Sequence, residues 1–281
     1  ASNVGLGKSA LEKNTTAANN TAVGTFSLRC NTTGTENVSV GMCALTNNTT
    51  ANANTAVGAN TLFTNTTGTF NVALGNGALY ANTTGDDNVG IGKNSLDTNT
   101  TGDENTAVGR DALTANTTAS ENTAVGAYSL GTNTTGAANV AVGRGALQVN
   151  TTGGFNTAVG TGSSTENTTA SNNTAFGGEA MKKTTTASSN TAVGTSALAC
   201  NTTGATNVAL GMQALKANTT GEHNTAVGHN SLLANLTANQ NVAVGNYTLD
   251  ASTAGPNTAV GYCALSNVTG GAGNVAIGDL A

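Results

Sequence analysis

The sequence predicts an all-β parallel β-solenoid, a β-roll of about 16 stacked 17-residue coils, and three observations carry that expectation. An Asn-[Thr/Val]-Ala-Val-Gly motif recurs along the whole chain. Inside the motif, residue types alternate with the two-residue period of a strand. Between copies, turn-forming residues leave no stretch long enough for a helix and its return.

The motif starts at Asn3, Asn20, Asn37 and onward to Asn274, in seventeen copies. The step is 17 residues throughout, except for 16 from Asn241 to Asn257, in the coil that holds the only proline, Pro256. A regular repeat of this length is the signature of a solenoid. With coil positions numbered 1 to 17 from the Asn, the consensus reads N-[TV]-A-V-G-x-x-A-L-x-x-N-T-T-G-x-x. Position 1 is Asn and position 5 is Gly in every copy. Position 4 is always apolar, and position 9 is Leu in fourteen of sixteen coils, with Ser164 and Met181 the exceptions. Positions 3 and 8 are nearly always small.

Positions 1 to 5 read as a strand, with 2 and 4 on one face and 3 and 5 on the other. A second short strand is expected around positions 7 to 10. The N-T-T-G segment has turn chemistry, in which Asn makes local hydrogen bonds and Gly supplies a positive φ. Coils then stack through parallel hydrogen bonds at about 4.8 Å per rung. Position 4 and position 9 side chains are expected to form two core columns that no coil could bury alone. The position-1 residues, such as Asn54, Asn71 and Asn88, are expected to form an amide ladder. Gly58, Gly75 and Gly92 mark a sharp bend or a close backbone approach. The expectation is a single domain over residues 1–281, uncapped at both ends, either a piece of a longer repeat protein or a unit that stacks end to end.

Composition removes several classes of function. With 3% aromatic residues and no Trp, the chain cannot fill a thick core, although it can stack many thin ones. A net charge of −5 and regularly spaced Val and Thr argue against disorder. Nine basic residues spread over 281 positions make no phosphate-binding surface, so no nucleic-acid partner is expected. No apolar run approaches the length of a membrane span, so no membrane insertion is expected. No signal peptide opens the sequence, as expected for a mature chain or an excised segment. The only histidines, His223 and His229, have no partner constellation. No catalytic residue, no cofactor and no enzymatic activity are expected, and both histidines are placed on exposed bends.

Four features invite a functional reading. N-x-[Ser/Thr] sequons fall at position 12 of most coils: Asn14, Asn31, Asn48, Asn65, Asn82, Asn99, Asn116, Asn133, Asn150, Asn167, Asn201, Asn218 and Asn235, with Asn267 one position early in its coil. They read either as a glycosylated stripe or as turn chemistry amplified by duplication, and the narrow rung spacing leaves little room for a glycan on each. Stacked Thr at positions 13 and 14 open an ice-binding alternative, weakened because adjacent residues cannot both face outward. Asp87, Glu104 and Glu121 occupy position 17 of three successive coils, where like charges repel unless a Ca²⁺ ion bridges them. A solvated turn is the favoured reading there, and no metal site is assigned. Cys30 and Cys43 lie in adjacent coils and are candidates to pair. Cys200 and Cys263 repeat the same two coil positions but stand four coils apart, roughly 19 Å by rung spacing. That exceeds the reach of a disulfide, so they are free or bridge to another chain.

The N-[TV]-A-V-G-x-x-A-L segment resembles the β-roll head repeats of trimeric autotransporter adhesins. With N-T-T-G inserted, it is also similar to the repeats of phage tail-fibre-like and bacterial surface proteins. The resemblance runs coil by coil over the whole chain, and no stalk, membrane anchor or chaperone domain like those of these proteins is expected within its 281 residues. It implies an elongated fibre on a cell or virion surface, with three chains side by side in the adhesins. If trimers form, the small residues at positions 3 and 8 would suit the inter-chain contact. The expected function is therefore a non-catalytic subunit of an extracellular fibre, stacking end to end or laterally with itself, with glycans as a further partner. A trimeric adhesin or tail-fibre shaft is the alternative.

Overall fold

A computed structural model describes residues 2–281. The chain divides into two compact units, Ala1–Asn139 and Val140–Ala281, each a parallel β-solenoid with one short strand per coil. The first unit holds β1 (Val4–Leu6), β2 (Thr21–Val23), β3 (Val38–Val40), β4 (Thr55–Val57), β5 (Val72–Leu74), β6 (Val89–Ile91), β7 (Thr106–Val108) and β8 (Thr123–Val125). The second holds β9 (Val140–Val142), β10 (Thr157–Val159), β11 (Thr174–Phe176), β12 (Thr191–Val193), β13 (Val208–Leu210), β14 (Thr225–Val227), β15 (Val242–Val244), β16 (Thr258–Val260) and β17 (Val275–Ile277).

Within each unit every strand pairs in parallel with the equivalent residues of the next coil. Ala22 lies beside Ser39 in the β2–β3 pair, and Val142 beside Val159 in the β9–β10 pair. The short coil keeps this register, with Val242 beside Thr258. Its missing residue is therefore taken from the arc after the strand, where the Gly255–Pro256 peptide is cis.

The expected second strand does not form among the described residues. Positions 6 to 11 make a continuous turn, because positions 7 and 9 are left-handed. In one coil Asn94 has φ 54° and Leu96 has φ 52°. Such residues lie outside the β region, so the segment curls. Its backbone groups are still satisfied by the neighbouring coil: Leu96 N–H donates to Ala112 C=O at 3.0 Å, and Thr98 N–H to Thr114 C=O at 3.2 Å. The N-T-T-G turn also differs from expectation. Its Gly is not left-handed; position 17 is, as at Asp87 (φ 56°) and His223 (φ 57°).

The core is narrower than expected. Position 9 Leu is fully buried, as at Leu79, Leu96 and Leu113, and so are position 3 Ala and the small residues at position 8. Position 4 is not a core column. The strand alternation turns position 3 inward, so positions 2 and 4 point out. Leu74 is 46% exposed and Phe176 is 56% exposed. The small residues at positions 3 and 8 therefore make no inter-chain contact. They bring two walls of the coil close enough for one Leu per rung to fill the gap, each Leu contributing about 1.5–3 kcal/mol by burial.

Candidate functional surfaces

Two columns of buried Asn amides run through the coils. At position 1, the Asn37 N–H donates to Asn20 Oδ1 at 2.9 Å, and Asn37 Nδ2 donates to Ala51 C=O of its own coil at 2.8 Å. At position 12, Asn48 Nδ2 donates to Asn31 Oδ1 at 2.9 Å and to the same Ala51 carbonyl at 3.1 Å. One carbonyl per coil thus receives two amides, which close the corner of the coil. Where the columns are regular, Oδ1 meanwhile accepts from the next rung. The same pattern links Asn54, Asn71 and Asn88 through their backbone N–H groups.

This arrangement overturns the glycosylated stripe. Asn31, Asn48, Asn65, Asn82, Asn99, Asn116, Asn133, Asn150, Asn167, Asn201, Asn218 and Asn235 are all buried. A glycan is carried on Nδ2, the atom that donates inside the coil. Asn14 is half-buried and Asn267 is exposed, so only these two ends of the row reach solvent. Departures from Asn break the column where they occur. Thr184 replaces Asn at position 12, and its buried hydroxyl has no partner. Asn235 Oδ1 is likewise orphaned below Ser252.

The Thr rows are also partly internal. Each position-13 hydroxyl donates to the carbonyl of the next coil, as from Thr66 to Thr83 at 3.0 Å and from Thr83 to Thr100 at 2.9 Å. The position-14 row is the more exposed of the two, as at Thr67 and Thr84, while Thr66 and Thr83 at position 13 are half-buried.

Asp87, Glu104 and Glu121 sit at left-handed corners, and no group of three metal-ligating side chains forms among the described residues. The adjoining acids cap the backbone instead: Asp86 Oδ1 accepts from Thr69 N–H at 2.6 Å, and Asp103 Oδ1 accepts from Asp86 N–H at 2.8 Å. Cys30, Cys43, Cys200 and Cys263 are all free and half-buried. In-register stacking sets position 7 over position 7 and position 11 over position 11, so Cys30 and Cys43 do not face one another. His223 is exposed, whereas His229 is half-buried with its ring edge-on to Tyr247 at 5.1 Å.

Two features are absent from the sequence reading. The first is the outer face of the strands: no residue at positions 2 or 4 of the seventeen strands is charged. Its signal is the invariant apolar position 4, which the buried position 3 turns outward rather than into the core. The second is Asp97, whose carboxyl is held above the usual carboxylate range by burial, with the neighbouring Asp111 adding to the effect. Ionised Asp97 thus opposes folding above its folded-state pKa, and the penalty disappears below its unfolded value. Asp97→Asn is expected to raise the melting temperature at neutral pH. The gain should shrink as pH falls through the carboxylate range, which paired melting curves across pH would record.

No helix among the described residues is long and apolar enough to cross a membrane. A scan against protein-family models finds no match, and a search of curated proteins finds none. The chain is thus placed by its architecture, a parallel β-solenoid of 17-residue tandem repeats.

Proposed function

We propose that this chain is a non-catalytic structural subunit of an extracellular fibre, on a cell or virion surface, that associates with copies of itself. The observation that carries the reading is the uncharged outer strand face. In the first unit, positions 2 and 4 present Thr, Val, Leu and Ile from β1 to β8, with Val38, Val72, Leu74 and Val125 all more than a third exposed. Eight rungs make this strip about 35 Å long and roughly 10 Å wide, on the order of 350 Å². The strip is uncharged but not wholly apolar, with Thr at position 2 in β2, β4, β7 and β8, and its size is that of the largest patch on an ordinary monomer, which is often functional. A flat, rigid strip repeated at constant spacing suits another copy of the same strip.

Side-by-side packing is the form this face supports, in keeping with the resemblance to trimeric adhesins and tail-fibre shafts. End-to-end stacking through strand edges belongs to the same proposal. Sedimentation velocity on the chain and on a Val72→Lys/Leu74→Lys variant tests it. The wild type should sediment as a multi-chain species and the variant should shift toward monomer with its fold intact, because both side chains point outward. A wild type that stays monomeric at every concentration would sink the reading.

A further inference from the structure

The strand face of the first unit is uncharged, but its two edges are not, and their charges have opposite signs. Position 17 lies just before each strand and position 6 just after it. Along β1 to β8 every charged residue at position 17 is acidic: Glu36, Asp87, Glu104 and Glu121. Every charged residue at position 6 is basic: Lys8, Lys93 and Arg110. All seven side chains are exposed. Two strands carry both signs at once, β6 between Asp87 and Lys93 and β7 between Glu104 and Arg110.

The fold does not use these charges on one another. Asp87, Lys93, Glu104 and Glu121 make no ion pair among the described residues. Arg110 is partly engaged in its own unit, with its guanidinium 4.8 Å over the Tyr128 ring and its Nε 3.5 Å from Asp111 Oδ2. The acid and the base of one rung stand at opposite ends of a strand and do not meet. Asp86 and Asp103, at position 16, add to the acidic side. The strip is therefore polarised across its width, from an acidic edge to a basic one.

We propose that two copies of the chain meet strip to strip with their solenoids parallel, about a two-fold axis that runs along the rod. The orientation rests on the self-association reading and adds to it. A face that packs on its own copy does so about a two-fold axis in one of two ways. With the axis along the rod, rung lies over rung, and the position-17 edge of each copy meets the position-6 edge of the other. Asp87 of one copy then faces Lys93 of the other, and Glu104 faces Arg110, each pair formed twice. With the axis along the strands, the rods run antiparallel and like edges meet, so Asp87 and Glu104 face acids. Sheets packed face to face stand about 10 Å apart, a gap that two long side chains span at the rim. Exposed rim pairs add little affinity, whereas like charges set opposite one another are costly. The edges thus choose the orientation, and the uncharged strip supplies the contact area.

Sedimentation velocity of the full chain at low salt tests the orientation. Around β6 and β7, Lys93→Glu/Arg110→Glu makes both edges acidic, and Asp87→Lys/Glu104→Lys makes both basic. In the parallel pair each variant sets like charges at both rims, so each should self-associate about tenfold more weakly than the wild type. An equimolar mixture of the two should recover wild-type association, since an acidic-edged copy then faces a basic-edged one. High salt should bring wild type and variants together by screening the exposed charges. Melting curves matching the wild type would show that each variant is folded. Lys93→Glu alone, at an exposed side chain, takes the place of the double variant if loss of the Arg110–Tyr128 contact unfolds it. In an antiparallel pair the rims already repel, so reversing one edge would leave association as it was. That result, or a mixture as weak as its components, overturns the proposal and leaves the fibre reading intact. A wild type that stays monomeric at every concentration overturns both.

Discussion

Asn105→Asp is expected to destabilise its unit by about 3–5 kcal/mol at neutral pH, the range for an uncompensated buried charge. Asn105 is fully buried. Its Nδ2 donates to Ala119 C=O at 2.8 Å and to Asn88 Oδ1 at 3.1 Å, and its Oδ1 accepts from Asn122 N–H at 3.0 Å. An Asp there sets an acceptor against two acceptors. The carboxyl avoids ionisation only by holding its proton, so its folded-state pKa must rise. The penalty is then largest above that raised pKa and diminishes as pH falls toward the unfolded value. Asn105→Ala should lose less, about 1–3 kcal/mol, because it orphans the Asn122 N–H but buries no charge. Ala119 C=O keeps its second donor, Asn116 Nδ2, at 2.9 Å. Urea unfolding of both variants at neutral and acid pH would separate the two effects. Equal losses for Asp and Ala at neutral pH would refute the account.

The same columns show what was legible in the sequence. The repeat, its 17-residue step, the parallel stacking and the rung-to-rung role of Asn follow from periodicity alone, because a residue repeated at every rung must stack on itself. The direction of each side chain was harder to read. Val at position 4 is larger and more regularly apolar than Ala at position 3, so a burial argument favours Val for the interior. The alternation around position 3 decides otherwise, since an interior this narrow holds two small residues and one Leu. The position-12 Asn shows the same limit. A sequon and a buried ladder amide have the same spelling, and only the shared carbonyl at position 15 distinguishes them. Left-handed Leu and Glu, as at Leu96 and Glu104, are invisible to propensity, because these residues are seldom found there unless the surrounding structure holds them in place.

Gly92→Ala is expected to destabilise the first unit by about 4 kcal/mol, whereas Gly90→Ala in the adjoining strand should change it by less than about 1 kcal/mol. The two glycines stand two residues apart, and their surroundings differ. Gly92 has φ +127°, a conformation L side chains rarely adopt, and a Cβ there would lie 2.6 Å from Gly109 O and 2.7 Å from Gly109 C. Backbone strain and overpacking each carry roughly 1–3 kcal/mol. The neighbour cannot move aside cheaply, because Gly109 N–H is itself bonded to Ile91 C=O at 2.7 Å, as Gly92 N–H is to Leu74 C=O at 2.8 Å. Gly90 is at position 3, where a Cβ would meet Ser95 Oγ at 3.1 Å and Leu79 Cγ at 3.3 Å, both side-chain atoms. Other coils already combine Ala at position 3 with Ser at position 8, as Ala124 with Ser129 and Ala226 with Ser231. Paired urea melts of the two variants test the distinction directly. A strong loss at Gly92 alone would show that the position-5 glycines set how closely one coil can approach the next, and that the hydrogen bonds between rungs depend on that approach. Equal tolerance at both sites would mean the coils can separate locally without loss, and the close backbone stacking would then contribute little to the stability of the solenoid.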